Sequence, residues 1–328
     1  MISDRVGVVV IGRNEGERLI RCLSSIKVAA KHVVYVDSGS TDGSIAAAER
    51  QGAIIVRLDL AQPFTAGRAR NEGFAALRAA DPAIRYVQFV DGDCELIDGW
   101  IGSALSFLQS HEDVAVACGR RRERFPDASI YNYLCDQEWN TPIGEAQSCG
   151  GDSMMRVVAF TAAGGFRGEL MAGEEPELCL RLRANGWKIW RLDQDMTLHD
   201  AAMTRFGQWW RRAIRSGYGC ADIVWLDGPS RSSVPPSYGR ETASAIFWGG
   251  LLPLAIIVGS FVRSYVLAAA AIYALQVCRI AFRRGVGSPE SWTYAVLTVL
   301  AKFAAFYGIA KYWWSRWTKA SAQPIEYK

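Results

Sequence analysis

The segment FVDGDCEL, residues 89–96, places Asp91 and Asp93 on either side of one glycine, directly after the β-branched and aromatic run from Tyr86 to Val90. Two carboxylates at the exposed end of a strand can grip one hard divalent cation. Aspartate oxygens suit Mg2+ or Mn2+, which keep part of their water shell and complete it with substrate phosphates. Gly92 lets the backbone pass close to such a ligand. On its own, Asp-Gly-Asp is equally an ordinary acidic turn. A second acidic pair, Glu174-Glu175, opens a stretch of helical spacing from Glu174 to Ala184, where the helix dipole favours acids with or without chemistry.

The elements that must position these groups follow from the hydrophobic pattern. Short apolar runs at Val6–Ile11, His32–Val36, Ile54–Leu58 and Tyr86–Val90 alternate with helical stretches at Glu17–Val28, Ser44–Gln51 and Ala66–Leu77. That alternation predicts βαβ units and a parallel sheet, an α/β fold. The run SGSTDGS, residues 38–44, predicts a glycine turn into a helix capped by Ser40, Thr41 or Asp42. In open α/β sheets ligands bind beyond the carboxyl ends of the strands, and Asp37 and Asp91 both sit at such ends. Further on, GGDSMMR (150–156) reads as a turn entering structure and Trp187–Leu192 as a short strand. Thr204–Tyr218 reads as an amphipathic helix, with Phe206, Trp210, Ile214 and Tyr218 four residues apart.

Charge and hydropathy divide the chain. Residues 241–328 carry nine Lys or Arg against three Asp or Glu, and residues 1–240 carry 28 against 30. A basic, apolar C-terminal part on a mildly acidic body points to membrane lipids as partners, not nucleic acid. Thr242–Val262 holds no charge, and Ser264–Phe282 holds only Arg279, so both are candidate spans. Trp292–Trp314 contains Lys302 and Lys311. It reads as a third span with a buried partner for Lys302, or as an interfacial helix. Two spans keep the basic tail beside Arg279, Arg283 and Arg284 in the cytoplasm, whereas three would export it against the positive-inside tendency. The expected organisation is a cytoplasmic domain over residues 1–226, a Pro/Ser/Gly-rich linker over 227–241 and a membrane region over 242–328. No signal peptide is legible at the start. The eight cysteines are scattered without a CxxC pair, which suits a reduced compartment and gives no sign of a structural metal site.

Taken in order, VVVIGRNEGERLIRCLSSI, VVYVDSGSTDGS, FTAGRARNEGFAAL and FVDGDCEL form a series that resembles glycosyltransferase family two on the GT-A fold. GEEPELCLRLRANGWKI resembles the family's later acidic stretch, so the resemblance runs from residue 5 to about 220. It implies an inverting transfer from a nucleotide sugar, UDP-linked, with Mn2+ or Mg2+. The implied acceptor is a lipid-linked saccharide or polyprenyl phosphate in surface polysaccharide assembly, at the inner membrane with the catalytic domain cytoplasmic. Residue by residue, it assigns Asn14 and Glu15 to the loop touching the nucleotide and Asp37 to the uracil or ribose. Arg70 and Asn71 fall near the nucleotide and diphosphate, and Asp91 and Asp93 to the metal, with Asp93 the more direct ligand. His199, in TLHD, stands where a further metal or diphosphate contact is often found. Gly150, Gly151 and Asp152 match the acceptor-side loop, and Arg211 of QWWRR matches an arginine of the acceptor motif.

Two positions depart from the family. Glu174-Glu175 replaces Glu-Asp, so Glu175 aligns with the expected base, and its extra methylene leaves the base between Glu174 and Glu175. Arg212 replaces the tryptophan that ends QxxRW in processive synthases, which points to a non-processive enzyme. A nucleotidyltransferase or a non-catalytic membrane scaffold would also use such a sheet. The first expects a glycine-rich basic loop where IGRNEGERL stands, and the second leaves the filled acidic positions unexplained. Neither GxxxxGK[ST] nor GxGxxG occurs, which removes support for P-loop and dinucleotide-binding readings.

Overall fold

The computed structural model describes residues 5–26, 30, 32–226 and 234–318. These separate into two compact units, one of residues 1–126 with 135–202, the other of 127–134 with 203–328.

The first unit is a nine-stranded sheet with helices. Its strands are β1 (Val6–Gly12), β2 (His32–Asp37), β3 (Ile54–Arg57), β4 (Tyr86–Asp91), β5 (Cys94–Leu96), β6 (Val114–Glu123), β7 (Gly144–Glu145), β8 (Ser153–Arg156) and β9 (Lys188–His199). They run β3-β2-β1-β4-β8-β6-β9-β5, with β7 beside β9. The expected parallel half is present, since β2, β1 and β4 pair in parallel, as do β2 and β3. VGVVVIG forms β1 because a central strand covered on both faces needs a continuous apolar run, and residues 6–10 are all buried. β8 enters antiparallel between β4 and β6.

Helices α1 (Glu17–Ile26), α2 (Ser44–Arg50) and α3 (Ala66–Ala80) fall where the periodicity placed them. Val28, the expected end of α1, lies outside the described residues. The cap of α2 differs from expectation: Gly43 occupies the N-cap, and Asp42 accepts the Ser44 amide at 2.9 Å from one residue upstream. In α3, Thr65 caps the start by accepting the Arg68 amide at 3.1 Å. A side chain at Gly73 would lie 2.4 Å from Val9, so this glycine lets α3 press directly on β1. α4 (Trp100–Ser110), α5 (Ile130–Glu138), α6 (Val157–Ala162) and α7 (Glu174–Ala184) complete the first set of helices. The strand expected over Trp187–Leu192 runs on to His199, and β6 was not read from the sequence at all.

The second unit contains α8 (Phe206–Val224), α9 (Pro236–Val262), α10 (Ser264–Arg284) and α11 (Pro289–Thr318). The last three are long and apolar enough to cross a membrane. α8, expected in the catalytic domain, belongs here because its backbone meets α11 closely. A Cβ on Gly217 would lie 2.2 Å from the Ala305 carbonyl oxygen, and one on Gly308 would lie 2.1 Å from that of Ile214. Small residues permit such backbone contact between helices. α9 begins at Pro236, so the expected linker is helical over its last residues, while 227–233 lie outside the described residues. Large apolar side chains such as Leu254, Ile257, Phe261 and Leu275 stay exposed on α9 and α10, as lipid-facing side chains would. Lys302 of α11 does not stand among apolar groups alone. It lines a small cavity of about 30 Å³ with Ser244, Gln276 and Thr298.

Candidate active site

Register places the first carboxylates. Gly12 of β1 pairs with Asp37 of β2, and Ile11 pairs with Asp91 of β4, so the two acids stand one residue apart in level on either side of the end of β1. Asp37 is buried and holds the turn after it: Oδ2 accepts from the Gly39 and Ser40 amides, both at 2.9 Å, and Oδ1 accepts from the Tyr35 hydroxyl at 3.1 Å. Asn14, at φ 55°, latches the two loops together. Its Oδ1 accepts from the Thr41 amide at 2.7 Å, and its own amide donates to Ser40 Oγ at 2.9 Å. Glu15 pairs with Arg18 at 2.8 Å, and a Cβ on Gly92 would lie 3.3 Å from its Cγ, which sets Glu15 over the Asp-Gly-Asp turn.

After Gly92 the chain turns into β5, where Cys94 pairs with His199, and β6 brings Glu123 opposite the same histidine. These two registers line up Asp93, His199 and Glu123. His199 Nε2 lies 3.3 Å from Asp93 Oδ2, and Nδ1 lies 3.6 Å from Glu123 Oε2. The edge of Trp139 closes on the imidazole, ring centres 4.8 Å apart. Burial lowers the His199 pKa against the pull of Glu123, favouring the neutral ring that binds metals. Glu123 stands behind Nδ1 just beyond hydrogen-bond distance, so Nε2 is the nitrogen that faces Asp93. An oxygen of Asp93, a nitrogen of His199 and the Cys94 sulfur, all buried, lie within 4.8 Å of one another, and the carboxylate–imidazole pair among them fits one divalent cation. A donor set of one carboxylate and one imidazole suits Mn2+ better than Mg2+.

Asp91 is gripped by two arginines. Arg70 Nη2 meets its Oδ1 at 2.7 Å and Arg121 Nη2 meets its Oδ2 at 3.2 Å. The same Arg121 nitrogen reaches Asp152 Oδ2 at 2.8 Å, and Arg70 Nη1 reaches Glu174 Oε1 at 2.7 Å. Burial opposes the charge on Arg70, yet Asp91 and Glu174 more than offset it and raise its pKa. Asp152 also accepts from the Asp91 amide and from Thr197 Oγ1, both at 2.9 Å. It is thus an internal tie between β4, β6 and β9. Gly151 leaves room for the cluster, since a Cβ there would stand 2.8 Å from Arg70 and 2.9 Å from Asp91.

The two glutamates of α7 point to different partners. Glu174 is committed to Arg70. Among the described residues, Glu175 accepts from neutral donors, the Cys149 amide at 2.5 Å and the Cys179 thiol at 3.2 Å, both on Oε1. Asn71 is spent on backbone: Nδ2 donates to the Phe166 carbonyl at 2.7 Å, and Oδ1 accepts the Phe166 amide at 2.9 Å. It positions the 165–167 turn. Arg211 is exposed on α8, in the second unit.

Sequence reasoning missed Arg121 and Glu123. The signal was present in VAVACGRRRE, where Arg120 and Arg122 share Asp136, and Arg121 and Glu123 take the alternate positions.

The family model described as glycosyl transferase family 2 matches residues 7–167, and that segment belongs to this family. Among curated proteins, a TPR repeat-containing protein of Synechococcus elongatus is 35% identical over 97 residues, 29% of this chain and 22% of that one. An uncharacterized glycosyltransferase of Rickettsia conorii is 36% identical over 55 residues, 17% of this chain and 20% of that one. The chain thus spans about a fifth of the length of these relatives. The fold is that of the mannosyltransferase PcManGT from Pyrobaculum calidifontis, solved with GDP-Man and Mn2+. The two share a TM-score of 0.63 at 18% identity over 95% of this chain and 88% of the other. Residues 1–349 of TarS from S. aureus give 0.51 at 15% identity over 95% and 92%, and their UDP-GlcNAc complex gives 0.50. The GT-A architecture read from the motifs is the architecture present.

Proposed function

We propose that the protein is a membrane-attached, metal-dependent, inverting glycosyltransferase. It moves a sugar from a UDP-linked donor to a lipid-linked saccharide or polyprenyl phosphate in surface polysaccharide assembly. The observation that carries this reading is the row Asp93–His199–Glu123 at the end of β4, next to the Arg70–Asp91 pair. Two structures of this fold were solved with a nucleotide sugar, GDP-Man in one and UDP-GlcNAc in the other, which supports that class of donor.

In this mechanism Asp93 and His199 would hold the cation, with the Glu123 carboxylate behind the imidazole. The bound Mn2+ or Mg2+ supplies Lewis-acid neutralisation of the charge on the departing diphosphate. Asp37 and Asn14 shape the loops at residues 13–15 and 38–41 that receive the nucleoside. Arg70 and Arg121 clamp Asp91 and fix the floor between nucleotide and acceptor. Glu175, whose partners are neutral, takes the proton from the acceptor hydroxyl. One displacement then inverts the anomeric carbon, and no nucleophilic side chain is needed. The apolar helices α9–α11 support insertion in the inner membrane, and Arg279, Arg283 and Arg284 support a cytoplasmic catalytic unit.

The test is transfer from a panel of nucleotide sugars by the full chain, with chelator and with Mn2+ restored. Activity that vanishes in EDTA and returns with Mn2+ is expected. Asp93→Asn should lose Mn2+ binding measured by electron paramagnetic resonance. Undiminished transfer in EDTA, or release of pyrophosphate in place of a nucleoside diphosphate, would overturn the reading.

A further inference from the structure

Cys149 and Cys179 are thirty residues apart in sequence, yet their sulfurs lie 3.6 Å from each other. Cys179 is fully buried and Cys149 nearly so, at 8% exposure. Glu175 Oε1 stands 3.2 Å from Cys179 Sγ, and the two sulfurs and a carboxylate oxygen all fall within 4.8 Å of one another. A tetrahedral cation with metal–sulfur bonds of ~2.3 Å and a metal–oxygen bond of ~2.0 Å holds its sulfurs ~3.8 Å apart and a sulfur and oxygen ~3.5 Å apart. The observed 3.6 and 3.2 Å need adjustments of only a few tenths of an ångström.

We infer that Cys149, Cys179 and Glu175 form a site for a thiophilic divalent cation, Zn2+ or Cd2+, separate from the Asp93–His199 pair. Soft thiolates select such ions, and this site offers two thiols where the Asp93–His199 pair has one beside it, Cys94. Cys149 lies between β7 and β8, next to Gly150 (φ 78°), and its slight exposure gives an entry path. On binding, each thiol gives its proton to solvent and a sulfur lone pair to the metal; two protons leave and nothing is oxidised. Capture of Glu175 makes the site inhibitory; that consequence rests on Glu175 being the base, and the binding itself does not.

The experiment is a Cd2+ titration of the full chain under a non-thiol reductant with Mn2+ in excess. We expect one equivalent to give cadmium–thiolate charge-transfer absorption. Cys149→Ser and Cys179→Ser should each weaken binding by more than the ~10–100-fold that loss of an outer partner costs. Cys220→Ser, in the second unit, should leave it unchanged. Cadmium X-ray absorption on the unsubstituted chain needs no variant to fold and should count two sulfur neighbours. One sulfur or none, absorption that survives both substitutions, or displacement by Mn2+ would overturn the site. Cadmium bound with transfer intact would keep the site and remove Glu175 as base. No binding alongside an inactive Glu175→Gln would remove the site and keep the base.

Discussion

Replacing Arg121 by methionine tests the internal charge network directly. The Arg121 guanidinium touches Asp152 at 2.8 Å and Asp91 at 3.2 Å, and it lies 5.6 Å from the centre of the Trp139 ring. The Asp152 side chain is 0% exposed, and its other donors are an amide and a hydroxyl. Methionine fills similar space and carries no charge, so Asp152 would keep a buried negative charge with neutral partners only. Breaking a buried pair from one side costs about 3–5 kcal/mol. A unit of 150–250 residues loses roughly 2–4 °C per kcal/mol, which predicts a fall of about 6–20 °C in melting temperature. Arg121→Met combined with Asp152→Asn should recover much of the loss, because asparagine still accepts the Asp91 amide and position 152 no longer carries a buried charge. Thermal unfolding of the detergent-solubilised chain, followed by tryptophan fluorescence and near-ultraviolet circular dichroism, reads both variants. A single variant that melts within ~2 °C of the parent, under about 1 kcal/mol by the same conversion, would refute the argument. So would a double variant no more stable than Arg121→Met.

Glu175→Gln should retain donor affinity and slow the chemical step by about a hundred- to ten-thousand-fold, with Glu174→Gln losing less; single-turnover kinetics separates binding from chemistry. If only Glu174→Gln is slow, the base is Glu174. Gly308→Ala should destabilise the second unit by about 1–3 kcal/mol, because its methyl meets the Ile214 carbonyl, whereas Gly287→Ala meets nothing within 4 Å and should be neutral in the same melt. The full chain should remain in the membrane pellet through high salt and alkaline carbonate, and release by salt alone would mean that it adheres only through its basic residues.

What the sequence determines here is whatever depends on neighbours in the chain. The β-branched runs around residues 6–11, 32–36 and 86–90 are strands because their apolar periodicity is local, and parallel pairing follows from the helices between them. Asp37, Asp91 and Asp93 are legible at strand ends for the same reason. The three apolar helices declare themselves by composition. Other features depend on which distant segments meet. β6 and β9 pair across about seventy residues with irregular register, and only that pairing brings Glu123 to His199 and turns Arg121 towards Asp91 and Asp152. Asn71 reads as a substrate contact in its motif, but Phe166, ninety-five residues away, takes both ends of its amide. α8 reads as part of the catalytic domain by its place in the chain, and glycines at 217 and 308 assign it instead to α11 by letting the two backbones touch. The scattered cysteines give no spacing signal, yet folding sets Cys149 and Cys179 3.6 Å apart beside Glu175. Periodicity along the chain encodes elements and their exposed ends; register and close packing between elements decide which charges, thiols and backbones face one another.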